Sequence, residues 1–241
     1  LNPSSAASDV YKRQNLYILY MIWIFLLVYP FSCLAFDIVS THSHDRHNFT
    51  QGLQFIGDEL IESSGRYGKS FVIQYNPISG KASYKTKLAS KYFAEGLTTF
   101  EGKYFLLTWK QRQVLVFDKS LNTLPTLALP SAEGWGLCNQ KEAMIYSDGT
   151  NKLYKVDENF KIIQVYDISW PGHQLKYLNE LECIGDYVLA NIWQSNKFVV
   201  IHIPQQKVVQ SFDLNSLAKV AQNKANWPID VMNGLAWNEK R

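Results

Sequence analysis

Short apolar runs of four to seven residues, broken by turn residues, fill most of this chain and read as strands. The alternation within them is moderate, as in Gln210-Ser211-Phe212-Asp213-Leu214. A helical period appears only near residues 216–223. One motif recurs. Phe49-Thr50-Gln51-Gly52-Leu53 is followed by Phe93-Ala94-Glu95-Gly96-Leu97, then Gly134-Trp135-Gly136-Leu137, Asn179-Glu180-Leu181 and Met232-Asn233-Gly234-Leu235. The leucines are 44, 40, 44 and 54 residues apart, the period of a four-stranded propeller blade.

The rest of each repeat agrees. Second strands end in polar or aromatic clusters at 62–65, 107–110, 146–149 and 191–194. Third strands are predicted at 71–75, 114–117, 152–156 and 198–203, and fourth strands at 82–88, 124–129, 162–168 and 208–214. Five motifs therefore predict an all-β, five-bladed β-propeller over residues 36–241, with 216–223 as an inter-blade insertion. The fifth blade is expected to be truncated, because Arg241 follows Leu235 by six residues. Residues 36–41 could add one outer strand, and the rest is expected from a longer gene product.

Residues 16–36 carry no charge and follow Lys12-Arg13. With Cys33-Leu34-Ala35 at their end, residues 15–35 read as a signal peptide cleaved near Ala35. A membrane anchor is the alternative, since the run is long enough to span a bilayer. A secreted or periplasmic location follows from the first reading. Residues 1–14 read as an adaptor-derived leader and stand outside the fold. Net charge is +3, of which the first 35 residues contribute +1, so the remaining +2 gives no reason to expect nucleic acid as a partner. Of the three cysteines, Cys138 and Cys183 fall at opposite phases of neighbouring inner strands, so a disulfide between them is not expected. No CxxC or His/Cys spacing suggests zinc.

Propeller inner strands line a central channel, so the variable motif positions converge on one ring. They hold Phe49, Gln51, Glu95, Trp135, Asn179 and Glu180, and the second strands add Trp109 and Trp193. This is a pocket with carboxylates, amides and tryptophans. Taken singly, each residue has another reading. Glu95 could be a solvated strand-end carboxylate, the tryptophans could be core, and Glu180 and Glu182 could pair with neighbours or hold a structural cation in the channel. Asp148 reads as a turn former, and His42, His44 and His47 read as solvated loop histidines. The sequon Asn48-Phe49-Thr50 reads as coincidence, since a sugar there would obstruct the pocket. A non-catalytic peptide- or carbohydrate-binding propeller is the rival to an enzyme.

Phe-Thr-Gln-Gly-Leu, Glu-Ser-Ser-Gly-x-Tyr-Gly-x-Ser (residues 62–70), Phe-Ala-Glu-Gly-Leu-Thr, Gly-Trp-Gly-Leu, Ser-Asp-Gly-Thr, Leu-Asn-Glu-Leu-Glu, Ala-Asn-Ile-Trp-Gln and Asn-Gly-Leu-Ala-Trp together resemble the glutamine cyclotransferase family, the plant and bacterial type of glutaminyl cyclase. The resemblance runs from about residue 36 to residue 237. It implies a five-bladed propeller that converts the N-terminal glutamine of peptides and proteins to pyroglutamate with release of ammonia and without a metal cofactor. Glu95 would be the general acid/base. Phe49, Gln51, Trp109, Trp135, Asn179 and Trp193 would bind substrate. The expected partners are peptides with an N-terminal glutamine, met by a monomer. The family's site lysine, in a Thr-Gly-Lys motif beyond Asn-Gly-Leu-Ala-Trp, has no counterpart in this sequence.

Overall fold

The computed structural model describes residues 37–225 and 228–240. The chain divides into two compact units, Leu1–Thr41 and His42–Arg241. In the first, residues 37–41 are exposed and carry no strand, so the outer strand expected at 36–41 is not formed there. The leader and the apolar run expected at 1–14 and 15–35 lie outside the described residues.

The second unit is built from four antiparallel sheets of four strands, each laid down in chain order. The first comprises β1 (Thr50–Ile56), β2 (Glu59–Ser64), β3 (Phe71–Tyr75) and β4 (Ala82–Lys87). The second comprises β5 (Ala94–Phe100), β6 (Lys103–Thr108), β7 (Gln113–Phe117) and β8 (Thr123–Ala128). The third holds β9 (Leu137–Gln140), β10 (Ala143–Ser147), β11 (Lys152–Val156) and β12 (Ile162–Asp167). The fourth holds β13 (Leu178–Ile184), β14 (Tyr187–Ile192), β15 (Lys197–His202) and β16 (Lys207–Asp213). One helix, α1 (Asn215–Lys224), follows, where the helical period is strongest. Third and fourth strands begin within a residue of the predicted positions because apolar runs and turn residues mark them.

The middle strands are apolar on both faces, which explains their weak alternation. Along β6, Tyr104 and Leu106 pack toward the first blade, while Phe105 and Leu107 pack toward the third. Along β10, Met144 and Tyr146 face the second blade and Ile145 faces the fourth. A blade between two neighbours thus buries both faces, whereas outermost strands such as β4 are largely exposed.

The same geometry overturns one expectation. Cys138 and Cys183 form a disulfide, with Cα atoms 5.5 Å apart. They lie on β9 and β13, at opposite phases as the sequence indicates. Adjacent blades, however, pack opposite faces together, so residues of opposite phase are the ones that meet. Cys138 and Cys183 both belong to the apolar cluster between the third and fourth blades.

The blade count is also corrected. The propeller has four blades, not five. Among the described residues no strand follows β16. The fifth motif runs instead as an irregular segment between the first and fourth inner strands. Asn233 Nδ2 donates to the Thr50 carbonyl at 3.0 Å, and Gly234 N donates to Asn191 Oδ1 at 3.1 Å. Lys240 Nζ lies 2.7 Å from Asp58 at the far end.

Glycine marks where inner strands crowd. A Cβ on Gly52 would lie 2.5 Å from Leu97 N, one on Gly96 2.4 Å from Leu137 N, and one on Gly136 2.0 Å from the Asn179 carbonyl. No side chain fits such a gap. The fourth repeat has Glu180 at this position. Its carboxylate fills the gap beside the fifth motif, accepting from Leu53 N at 3.3 Å and Leu235 N at 2.7 Å. The repeat therefore recorded five contributions to a ring, and four of them continue into blades among the described residues.

Candidate active site

The motif residues two places before each leucine are Gln51, Glu95, Trp135, Asn179 and Asn233, and all five line one pocket. Register irregularities in β1, β5 and β13 fall at the motif, and such bulges re-aim side chains. Second strands grip the motifs of the next segment. Ser63 Oγ donates to the Glu95 carbonyl at 2.5 Å, and Ser147 Oγ donates to the Asn179 carbonyl at 2.8 Å.

The pocket has a volume of about 360 Å³, near the lower end of small-molecule sites, roughly 300–1,000 Å³. Phe49, Gln51, Glu95, Trp109, Trp135, Asn179 and Trp193, the seven predicted site residues, all contribute to its wall. The sequence reading passed over Phe93, His44, Asn48, Thr50, Asp230, Val231 and Asn233. Asn233 stood at the same motif position as Gln51 and Asn179, so the repeat carried its signal. Phe93 and Val231 sit two residues further back, on the face that Phe49 shares.

Two aromatic groups form the wall. On the first and second blades, Phe93 lies 6.3 Å from Phe49, 5.4 Å from Tyr67 and 5.5 Å from Trp109 between ring centroids. On the third and fourth, Trp193 stands edge-on to Trp135 at 5.5 Å and to Tyr177 at 5.7 Å. Gly149, at φ 81°, lies under Trp135, where a Cβ would come within 2.6 Å of the indole.

Glu95 is 6% exposed. Burial pushes its carboxyl well above the usual range, and the nearby Glu133 charge adds to this. Both effects favour the protonated form of Glu95 over that of an exposed carboxyl. The amides form a chain: Asn179 Nδ2 donates to Asn233 Oδ1 at 3.2 Å, and Asn233 Nδ2 reaches Gln51 Oε1 at 3.4 Å.

The arm before β1 is tied to the first blade by Glu62, fully buried, which accepts from Asn48 Nδ2 at 3.2 Å and Thr50 Oγ1 at 2.8 Å. His44, expected to be solvated, pairs with the same carboxylate at 2.9 Å. That hydrogen bond raises the imidazole pKa against the opposing effect of burial. Asp148 does hold a turn, accepting from the Thr150 amide at 3.1 Å and the Thr150 hydroxyl at 2.6 Å. Among the described residues, no three His, Cys, Asp or Glu side chains gather as a metal site.

Comparison with known proteins agrees with this geometry. Residues 29–241 match the family model described as glutamine cyclotransferase. A glutaminyl-peptide cyclotransferase of Arabidopsis thaliana is 33% identical over 208 residues, covering 85% of this chain. The chain spans 65% of that protein's length. The crystal structure of Myxococcus xanthus glutaminyl cyclase superposes with a TM-score of 0.77 at 27% identity, covering 84% of this chain and 87% of that one. A Bacteroides caccae protein matches at a TM-score of 0.54 and 14% identity, covering 68% of this chain and 66% of its own, and shares the fold alone. With the five-membered motif ring and the pocket it encloses, these matches establish that the chain belongs to the glutamine cyclotransferase family.

Proposed function

We propose that this pocket cyclises the N-terminal glutamine of peptides and proteins to pyroglutamate, releasing ammonia, with no metal ion taking part. The observation that carries the reading is Glu95, a buried carboxyl on the wall of an aromatic pocket, with amides on the same ring. Its position in a family of cyclotransferases supports it.

The reaction is intramolecular, so the protein must hold a curled substrate and move protons. The substrate's α-amine nitrogen attacks its own side-chain amide carbon. The amine has an ordinary pKa of about 7.7–8.0, so a useful fraction is neutral near pH 7. Glu95 takes a proton from the attacking nitrogen and delivers it to the departing amide nitrogen, which leaves as ammonia as the C–N bond breaks. A carboxyl with a raised pKa suits both transfers.

The amide chain divides the remaining work. Gln51 Oε1 faces Asn233, which leaves its NH₂ to donate to the substrate oxygen as charge develops. Asn179 spends an N–H on Asn233 and keeps its carbonyl to accept from the substrate amine. Phe49, Trp109, Trp135 and Trp193 cover the glutamine methylenes and exclude water.

The experiment is ammonia release from Gln-initiated dipeptides by the purified protein, with a chelator present, alongside Glu95→Gln. Activity unaffected by chelator and lost in the variant is the expected result. A folded protein that binds such peptides without releasing ammonia would leave a binding propeller in place of an enzyme.

The protein is further proposed to act outside the cytoplasm. The uncharged run at 16–36 behind Lys12-Arg13 supports this, as does the Cys138–Cys183 disulfide, a bond that persists in oxidising compartments. Among the described residues no helix is long and apolar enough to cross a membrane. N-terminal sequencing of the protein from its host would show whether cleavage occurs near Ala35.

A further inference from the structure

Glu133 was not among the predicted site residues and lies behind the pocket rather than on its wall. One of its oxygens, Oε2, accepts from two indoles at once: Trp109 Nε1 at 2.8 Å and Trp135 Nε1 at 3.0 Å. Trp109 directly follows β6 in the second blade, and Trp135 stands two residues before the start of β9 in the third. They belong to the two separate aromatic groups described above. A tryptophan ring has a single polar atom, so a bond to it fixes the ring's rotation about the side chain. One carboxylate oxygen therefore sets the angle of both walls relative to each other.

Glu133 is itself held. Its carbonyl accepts from Ser131 Oγ at 2.6 Å, and the next residue, Gly134, donates its N–H to the Trp109 carbonyl at 3.0 Å. Lys110 lies 3.7 Å from the second carboxylate oxygen, with its ammonium 4.0 Å above the Trp109 ring. Acceptor, cation and indole thus form one unit at the outer side of the pocket. Charge-assisted hydrogen bonds of this kind are stronger than neutral ones.

We propose that Glu133 is a positioning residue, whose carboxylate ties Trp109 to Trp135 so that the two aromatic walls close on the substrate as one rigid slot. The consequence for turnover rests on the cyclase reading above; the consequence for the indoles does not. A second effect accompanies the first. The Glu133 charge lies close enough to Glu95 to favour its protonated form, so the residue that aligns the walls also biases the proton carrier between them.

The test uses the full chain with ¹⁵N-labelled tryptophan, in the wild type, Glu133→Ala and Glu133→Gln. The two indole N–H resonances of Trp109 and Trp135, assigned by Trp→Phe replacement, are expected well downfield in the wild type. Both should move upfield in Glu133→Ala, and Glu133→Gln, which keeps an acceptor, should retain at least one of them. With Gln-Ala as substrate, Glu133→Ala should raise KM about tenfold or more, as expected when a hydrogen bond to a charged group is lost. Glu133→Gln should recover most of that KM while moving the limb of the pH–rate profile that reports Glu95 to lower pH. Indole resonances unchanged in Glu133→Ala would overturn the proposal, whether or not the wild type is active. So would a pH limb unmoved in an active Glu133→Gln. Wild-type protein that releases no ammonia would defeat the cyclase reading alone, and the indole spectra would still decide whether Glu133 couples the walls.

Discussion

Glu95 and Glu180 are both buried carboxyls of the motif ring, yet the two ends of the ring use them differently. Glu95 points into the pocket among aromatic rings, and only burial and a like charge bear on its proton affinity. Glu180 sits at the junction of the first and fourth blades and accepts two backbone N–H groups, which oppose the upward pull of burial and of Glu182. A buried carboxyl with donors is a structural joint. One without them is costly to ionise and remains available to exchange a proton with substrate. One residue of phase in the motif separates the two roles, since neighbouring positions on a strand face opposite ways.

The strongest way to break this comparison is to neutralise the pocket member. Glu95→Gln should lower ammonia release by about 10³-fold, within the range of general acid/base catalysis. It should not lower Tm at neutral pH, because it removes a group that is costly to ionise where it sits. A fall in Tm with activity retained would place Glu95 among the structural carboxyls. The disulfide offers a structural reference. Replacing both Cys138 and Cys183 with alanine should cost about 2–4 kcal/mol in unfolding free energy by denaturant titration, with KM little changed, since the bond lies between blades and off the pocket wall.

Glu180→Ala is the counterpart to the first variant. It orphans the N–H groups of Leu53 and Leu235 and should cost about 2–3 kcal/mol of stability. Glu180→Gln, which keeps an acceptor, should cost less. If Glu180→Ala left stability intact while abolishing turnover, the assignment of roles would be reversed.

The smallest effect is a pH dependence. Burial raises Glu182 to about 8, against the lowering effect of the Trp237 backbone N–H, and Glu95 and Glu180 are raised as well. A carboxyl with a raised folded-state pKa keeps its proton while the unfolded chain has lost it. The stability it supports is complete below the unfolded value of about 4.3 and declines as pH rises through the folded value. Thermal stability should therefore fall between about pH 4 and pH 8, and Glu182→Gln should flatten that decline. A Tm profile in the variant that parallels the wild type would remove Glu182 from the account.

Much of the site was legible because a propeller converts sequence period into spatial convergence. Gln51, Glu95, Trp135 and Asn179 recur at one motif position, so each blade delivers one side chain to the same ring. The hinge of the aromatic wall was not legible. Glu133 aligns with Phe49 and Phe93 in the repeat, where nothing suggests a carboxylate binding two indoles. Its role depends on Trp109 and Trp135 arriving from adjacent blades.

By itself the chain's pattern determined the all-β propeller class, the limits of its third and fourth strands, and the identity of half the residues on the pocket wall. Those follow from local periodicity and turn chemistry, which act within a few residues. Tertiary structure decided the rest. It placed the fifth motif beside the first and fourth inner strands, where it bonds to Glu180 and Asn191. It joined Cys138 to Cys183, because blades pack opposite faces together. It also linked the two aromatic walls through Glu133. Each of these depends on which faces meet across a blade interface, and residues about 24 to 55 apart in sequence come into contact there only once the chain has closed on itself.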